Sequence, residues 1–248
     1  MEPPTADRPA RHLVVIPAFN EEKALPRTLE ALRVLPAEFD VLIVNDGSAD
    51  RTGEVAEAVG RVGNGRVRVV HLPVNGGIGV AVQTGYQFAA SRGGYGYVVQ
   101  CDADGQHDPA LIPELVAECR RRDLDLCVGS RFLGTDGDRS TRLRRVGIRV
   151  FVALIGRLSG VRLTDPTSGF RCAGPRAWRR FARSYPEDYP EPESLFWCAR
   201  NRLRVGEFPV RMHARAGGVS SIRSWRTAYY MAKVTLAILI DRLRRQER

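Results

Sequence analysis

Lysine is nearly missing from this chain. Lys23 and Lys233 are the only two in 248 residues, so arginine supplies almost all of the 38 basic side chains set against 28 acidic ones. Such an excess can be compositional drift, or it can serve phosphate recognition, because a planar guanidinium fork pairs two oxygens at once. Cysteine offers no scaffold either. Cys101, Cys119, Cys127, Cys172 and Cys198 are odd in number and scattered, with no CxxC pair, which supports neither a zinc site nor a disulfide framework. They read as small buried hydrophobes in a reducing compartment. The four histidines lack metal-ligand spacing, and His107 reads as a loop residue. No run of about 18 apolar residues occurs, so no membrane-spanning helix is expected. Residues 1–11 are polar and proline-rich without an apolar stretch, the pattern of a disordered tail and not of a signal peptide. Gly77-Ile78-Gly79 lacks the third glycine of GxGxxG, where Val82 stands, and neither GxxxxGK[ST] nor GxSxG is present. Dinucleotide, P-loop and hydrolase-elbow chemistry are thereby disfavoured. A charge of +10 would suit nucleic acid, but the 8% aromatic residues sit in apolar contexts and not along a basic stripe, so nucleic acid is not an expected partner.

What is present is alternation. Leu13–Ala18, Val41–Asn45, Val67–Leu72, Tyr97–Cys101 and Leu124–Val128 are short apolar runs, which suit strands buried on both faces of a parallel sheet. Between them Glu21–Leu35, Asp50–Val62 and Gly77–Ser91 have helical composition, Ser48 and Asp50 are N-cap candidates for the second, and a further helix follows Pro109. This order predicts a doubly wound α/β domain over residues 12–222. Arg142–Ser159 reads as an arginine-studded amphipathic helix, and residues 223–248 as a C-terminal helix whose apolar part is Ala228–Ile240.

In a doubly wound sheet ligands bind beyond the carboxyl ends of the strands. Three polar clusters fall there: Pro17 to Glu22 after the first strand, Asn45 to Ser48 after the second, and Asp102-Ala103-Asp104-Gly105-Gln106 after the fourth. A DxD triplet alone is weak, arising about once per 250 residues at average composition, and Asp123–Asp125 and Asp136–Asp138 also fit it. Asp102 and Asp104 differ in following an apolar strand directly. Two carboxylates on a tight turn suit a hard divalent cation completed by a diphosphate. A plain structural turn is the alternative. An EF-hand is excluded, because its twelfth position would be Pro113.

The ordered series VVIPAFNEE, VNDGSADRT, NGGIGVAVQTGYQFA, QCDADGQHDP, GSRF and TDPTSGFR resembles family 2 glycosyltransferases, in particular the dolichyl- and polyprenyl-phosphate mannosyl- and glucosyltransferase branch. The resemblance implies a GT-A fold, a nucleotide-sugar donor, Mg or Mn as cofactor and inversion at the anomeric carbon. By position it implies that Pro17, Asn20 and Glu22 line the nucleotide pocket and that Asp46 contacts the base, against the alternative that Asp46 caps the next helix. Asp102, Asp104 and Gln106 would hold the metal, with Arg131 near the phosphates. Asp165, Ser168 and Arg171 would belong to the active-site loop. Glu193, Arg215 and Ser220 would lie where relatives contact the acceptor phosphate.

The expected reaction is sugar transfer to a polyprenyl phosphate by a protein peripheral to the cytoplasmic face of the membrane. An ionised phosphate nucleophile needs no strong base, whereas a sugar-hydroxyl acceptor would need one, with Asp165 and Glu193 as candidates. Transfer to such a hydroxyl on a lipid-linked or cell-wall glycan is the alternative, and a non-catalytic nucleotide-sugar-binding module is a third reading. Ala228–Ile240 would span about 20 Å as a helix against a ~30 Å hydrocarbon core. It is expected to lie on the membrane, on its own domain, on a membrane-protein partner or on a second subunit in a homodimer. Arg142, Arg145 and Arg149 share a helical face suited to anionic headgroups.

Overall fold

The computed structural model describes residues 11–62, 65–133, 152–153, 156–157, 160–161 and 163–212. The amphipathic segment at 142–159 falls largely outside these residues. Its Arg142, Arg145 and Arg149, the tail residues 1–10, Arg215, Ser220 and the helix at 223–248 lie outside them entirely. Arg11, expected in the tail, opens the first strand instead, held by a side-chain pair with Asp40.

Seven strands form one sheet: β1 (Arg11–Ala18), β2 (Phe39–Asp46), β3 (Val67–Leu72), β4 (Tyr95–Gln100), β5 (Leu126–Ser130), β6 (Arg171–Ala173) and β7 (Val205–Pro209), in the order β3-β2-β1-β4-β6-β5-β7. All neighbours pair in parallel except β6, which is antiparallel to both β4 and β5. Among the described residues these α-helices flank the sheet: α1 (Leu25–Ala31), α2 (Thr52–Val62), α3 (Ile78–Arg92), α4 (Ile112–Arg121), α5 (Pro175–Phe181) and α6 (Pro190–Arg200).

The apolar runs are continuous because successive side chains feed two cores. Leu13 and Val15 pack on one face with Ala81, Val82 and Tyr86 of α3, Trp178 and Phe181 of α5, and Leu195 of α6. Val14 and Ile16 pack on the other with Leu25 and Leu29 of α1, Ala56 of α2, and Ile112 and Leu115 of α4. The chain therefore steps outward from β1 through α1 and α2 on one face. It then returns past β1 to β4 through α3 on the opposite face. The switch point lies between β1 and β4, where an open α/β sheet has its crevice.

The expected helix Glu21–Leu35 is broken. Asn20 adopts a left-handed backbone (φ 54°), Pro26 stands in the first turn of α1, and Leu32–Val34 winds into a 3-10 turn. Ser48 does not cap α2, because its Oγ accepts from the Asn20 N–H, while Asp50 Oδ1 accepts from Thr52 N–H at the start of that helix. β6 has no counterpart among the expected strands, since three residues carry too little pattern to be read.

All five cysteines are buried and unbridged. Burial pushes the thiols of Cys101 and Cys172 well above their ordinary value and that of Cys198 up to about 12. Thiolate, not thiol, is the reactive form. The folded protein at pH 8 is therefore expected to give no rapid reaction with a disulfide reagent such as DTNB and to release all five thiols on unfolding. A thiol titrating within seconds in the native state would contradict this packing.

Candidate functional site

Two loops are zipped together at the carboxyl edge of the sheet. The Asn20 N–H donates to Ser48 Oγ at 3.0 Å, and Asn20 Oδ1 accepts from Ala49 N–H at 2.9 Å. Glu21 N–H donates to Thr52 Oγ1, Glu22 N–H to Asp50 Oδ2, and Glu22 Oε2 accepts from Arg51 N–H. Asn20 and Glu22 thus brace the loop after β1 against the loop after β2. Pro17 lies within β1, opposite Val44 of β2.

Asp46 is buried at the end of β2 and accepts from the Gly76 and Gly77 N–H groups at 2.8 and 2.9 Å. It holds the glycine loop that enters α3 and does not cap α2, as the structural alternative had it. Gly47 follows with φ +62°, and a side chain there would run into the Val74 carbonyl carbon at 2.4 Å. The first two clusters and the α3 entrance therefore form one wall.

The third cluster sits across β1 from Asp46, about 10 Å away at two inter-strand spacings. Asp104 is buried and accepts from the Gln106 N–H through Oδ1 at 3.0 Å, while the Asp102 side chain is one-third exposed. Thr28 of α1 donates its hydroxyl to the Ala103 carbonyl at 2.8 Å, tying the turn to the helix. Asp102, Asp104 and Gln106 thus lie together on one turn and offer only oxygen donors that suit a hard divalent cation. Among the described residues no group of three or more His, Cys, Asp or Glu side chains converges for a metal. The remaining ligands would have to be water and a diphosphate.

The segment 164–171 closes on this turn because β6 runs against its neighbours, so its amino end arrives where the parallel strands finish. Gly169 lies directly on Asp102. A Cβ there would come within 2.9 and 3.0 Å of the two carboxylate oxygens and 3.1 Å of Gln100 Nε2. A side chain here would have to displace the Asp102 carboxylate, and this glycine was not singled out in the sequence.

Three residues of that segment, and Arg131 beside it, meet partners inside the fold. Asp165 is completely buried and holds Arg131 in a two-pronged pair, with Nε to Oδ2 at 2.6 Å and Nη2 to Oδ1 at 2.7 Å. Both oxygens are engaged by a cation, so the structure gives Asp165 the part of a brace and not of a base. Arg131 is turned inward to the same pair and also reaches Thr167 Oγ1. Ser168 is buried, and its Oγ accepts from the Phe170 N–H. Arg171, expected at the acceptor, is enclosed. It donates to the carbonyls of Ser168, Pro166 and Glu191 and to Ser194 Oγ.

Behind Asp165 stands Glu207 of β7, which accepts from the Thr164 and Asp165 N–H groups at 2.8 Å. On the far side Glu193 sits in the first turn of α6, its N–H donating to the Tyr189 carbonyl. Two residues earlier, Glu191 lies deep with part of its surface open to solvent. Burial raises its carboxyl above the ordinary 4.5, partly offset by Arg171, while the charge of Asp102 pushes it further up. Only an alternation of proline and glutamate marked this stretch in the sequence, and nothing there separated Glu191 from Glu193. An apolar groove of about 340 Å³ lined by Leu29, Leu32, Leu35, Phe39 and Val59 lies at the opposite edge of the sheet and takes no part in this arrangement.

The family model described as "Glycosyl transferase family 2" matches residues 13–184. The polyprenol monophosphomannose synthase of Mycolicibacterium smegmatis is 31% identical, the alignment covering 94% of this chain and 89% of that protein. The undecaprenyl-phosphate mannosyltransferase of Micrococcus luteus is 36% identical, over 86% of this chain and 87% of that one. The dodecaprenyl-phosphate galacturonate synthase of Rhizobium johnstonii is 34% identical over 86% of this chain, which spans 62% of that longer protein. Among solved structures, glucosyl-3-phosphoglycerate synthase of Mycobacterium tuberculosis, in complex with Mn2+, UDP and glucosyl-3-phosphoglycerate, superposes with a TM-score of 0.65 at 23% identity. The match covers 94% of this chain and 80% of that one. The likeness shows the GT-A fold.

Placing a methyl group on Gly169 moves Asp102, and a displacement of about 1 Å at a reacting centre costs about 100-fold in rate. Gly169→Ala is therefore expected to lose about that much activity while keeping its far-UV circular dichroism; near-normal turnover would show that the contact is slack. Glu191 gives a pH-dependent test. With its folded pKa raised, its favourable contribution is full below the ordinary 4.5 and lost as pH rises through the raised value. Glu191→Gln should melt higher than wild type at pH 8. The gain should vanish toward pH 4 in thermal melts, and an equal shift at both pH values would contradict it.

Proposed function

The chain belongs to glycosyl transferase family 2, and from that premise we propose that it transfers a sugar from a nucleotide-diphosphate donor to a polyprenyl phosphate. The observation that carries the acceptor is the pair of relatives named for mannosyl transfer to polyprenol and undecaprenyl phosphate, each aligned over most of this chain. The reading includes a divalent metal and inversion. An oxygen of the acceptor phosphate forms the bond to the anomeric carbon as the bond from that carbon to the donor diphosphate breaks on the opposite side.

This acceptor is already ionised near neutral pH, so no proton must leave it. That agrees with an Asp165 whose oxygens are both taken up by Arg131. Asp102, Asp104 and Gln106 would hold Mg or Mn, and two carboxylates placed on one turn at the carboxyl edge of the sheet support that assignment. When bound, such an ion neutralises charge gathering on the leaving diphosphate. Asn20, Glu22 and Asp46 fix the wall on which the nucleotide would rest. The expected site of action is the cytoplasmic face of the membrane. Among the described residues no helix is long and apolar enough to cross it, and contact with the membrane is assigned to residues 142–149 and 228–240.

A hydroxyl acceptor is the second reading, and one observation favours it. A sugar hydroxyl must lose a proton to a carboxylate within reach, and Glu191 stands in the first turn of α6, whose head is tied to the segment 164–171 through Arg171.

The test is incubation of purified protein with Mg2+ or Mn2+, a panel of UDP-, GDP- and dTDP-sugars and undecaprenyl phosphate in detergent, scored by nucleotide release and product mass. A lipid-linked sugar phosphate is expected, with Asp104→Ala at least 100-fold slower, as loss of a principal electrostatic group implies. Donor turnover that requires a saccharide acceptor and Glu191, with no lipid product, would replace the first reading by the second.

A further inference from the structure

Asp102 is gripped by a residue outside the DxDxQ pattern. Its backbone N–H donates to His107 Nδ1 at 3.0 Å, and the same ring turns Nε2 toward Asp102 Oδ2 at 3.7 Å. Because Nδ1 accepts, the ring proton is on Nε2 and faces the carboxylate. That separation is longer than a hydrogen bond and within reach of electrostatic attraction. The imidazole is 5% exposed and lies against the Phe170 ring, with centroids 5.0 Å apart. On the other side Gln100 Nε2 approaches Asp102 Oδ1 at 3.4 Å, and Gly169 blocks movement from below. The carboxylate is thus limited on three sides, and His107 lies against both the main chain and the side chain of Asp102.

We propose that His107 is a positioning residue that sets the orientation of Asp102 for a divalent cation, working through the main-chain and side-chain contacts of one buried imidazole. The inference rests on the reading of Asp102 and Asp104 as the metal turn. Groups that orient metal-binding carboxylates from behind are commonly worth about 10–100-fold in metal affinity. A histidine needed only to fill the core would be replaceable by another flat ring, because its partner there is Phe170. One needed for its nitrogens would not.

The test measures Mn2+ binding directly, by loss of the free-ion electron paramagnetic resonance signal, with saturating UDP or GDP present. Wild type, His107→Phe and His107→Gln are compared, each with a thermal melt. His107→Phe keeps a ring against Phe170 but removes the acceptor of the Asp102 N–H, so it is expected to stay folded and to melt a few degrees lower than wild type. Its Mn2+ affinity should fall at least about 10-fold. His107→Gln, which retains an amide able to reach one of the two Asp102 contacts, is expected to fall between it and wild type. Wild-type Mn2+ affinity in a folded His107→Phe variant overturns the proposal. Should that variant fail to fold, His107→Gln decides: native-like melting with weakened Mn2+ binding supports the proposal, and wild-type affinity overturns it. A wild-type protein that binds no Mn2+ with either nucleotide instead removes the metal reading itself, a failure distinct from normal binding in all three proteins.

Discussion

A guanidinium cannot be taken out of water unless its donors are met, since the desolvation of an unpaired buried cation costs several kcal/mol. Arg171 is 1% exposed, and the way its donors are met organises the molecule around the site. Its hydrogen bonds run to the carbonyls of Pro166 and Ser168 on its own loop, and to the Glu191 carbonyl and Ser194 hydroxyl at the head of α6. One side chain therefore fixes the loop that covers Asp102 and the helix that brings Glu191 beside it. Contacts of this kind to a charged donor are each worth about 1.5–3 kcal/mol. The position reached through them matters more here than the stability.

The same loop is held from its other end by acids. Asp165 clamps Arg131 at the end of β5, and Glu207 of β7 clamps the Thr164 and Asp165 N–H groups. The short β6 that follows is hydrogen-bonded between β4 and β5 in the reverse sense. Together these make the segment 164–171 a rigid bridge and not a free loop. Its Gly169 can approach a carboxylate within van der Waals distance without being expelled. Such rigidity suits electrostatic catalysis, in which donors and acceptors are fixed before charge develops.

Much of the outer frame was readable from local pattern. Continuous apolar runs gave parallel strands buried on both faces, and the alternation with helices gave the doubly wound sheet with its polar clusters at one edge. Boundaries failed where single residues override propensity: Asn20 in the left-handed region, Pro26 in the first turn of α1, and Arg11 recruited into β1 by Asp40. Side-chain partners were hidden for a different reason. Asp165, Ser168 and Arg171 carry the chemistry of ligands in their side chains, yet each meets a partner inside the fold. His107 looked like loop punctuation, and its closest polar partner proved to be Asp102.

By itself the sequence determined which residue types stand at the strand ends, because that depends on spacing along the chain: Asn20 and Glu22, Asp46, and Asp102 with Asp104 and Gln106. Only the tertiary structure decided what faces them. Gly169 is 67 residues from Asp102 in the chain, and Glu191 and Glu193 share composition and helix while Glu191 is the one whose carboxyl is raised by burial and by the charge of Asp102. Those choices follow from the direction of β6 and the burial of Arg171. Both are long-range consequences of packing, and no local periodicity encodes them.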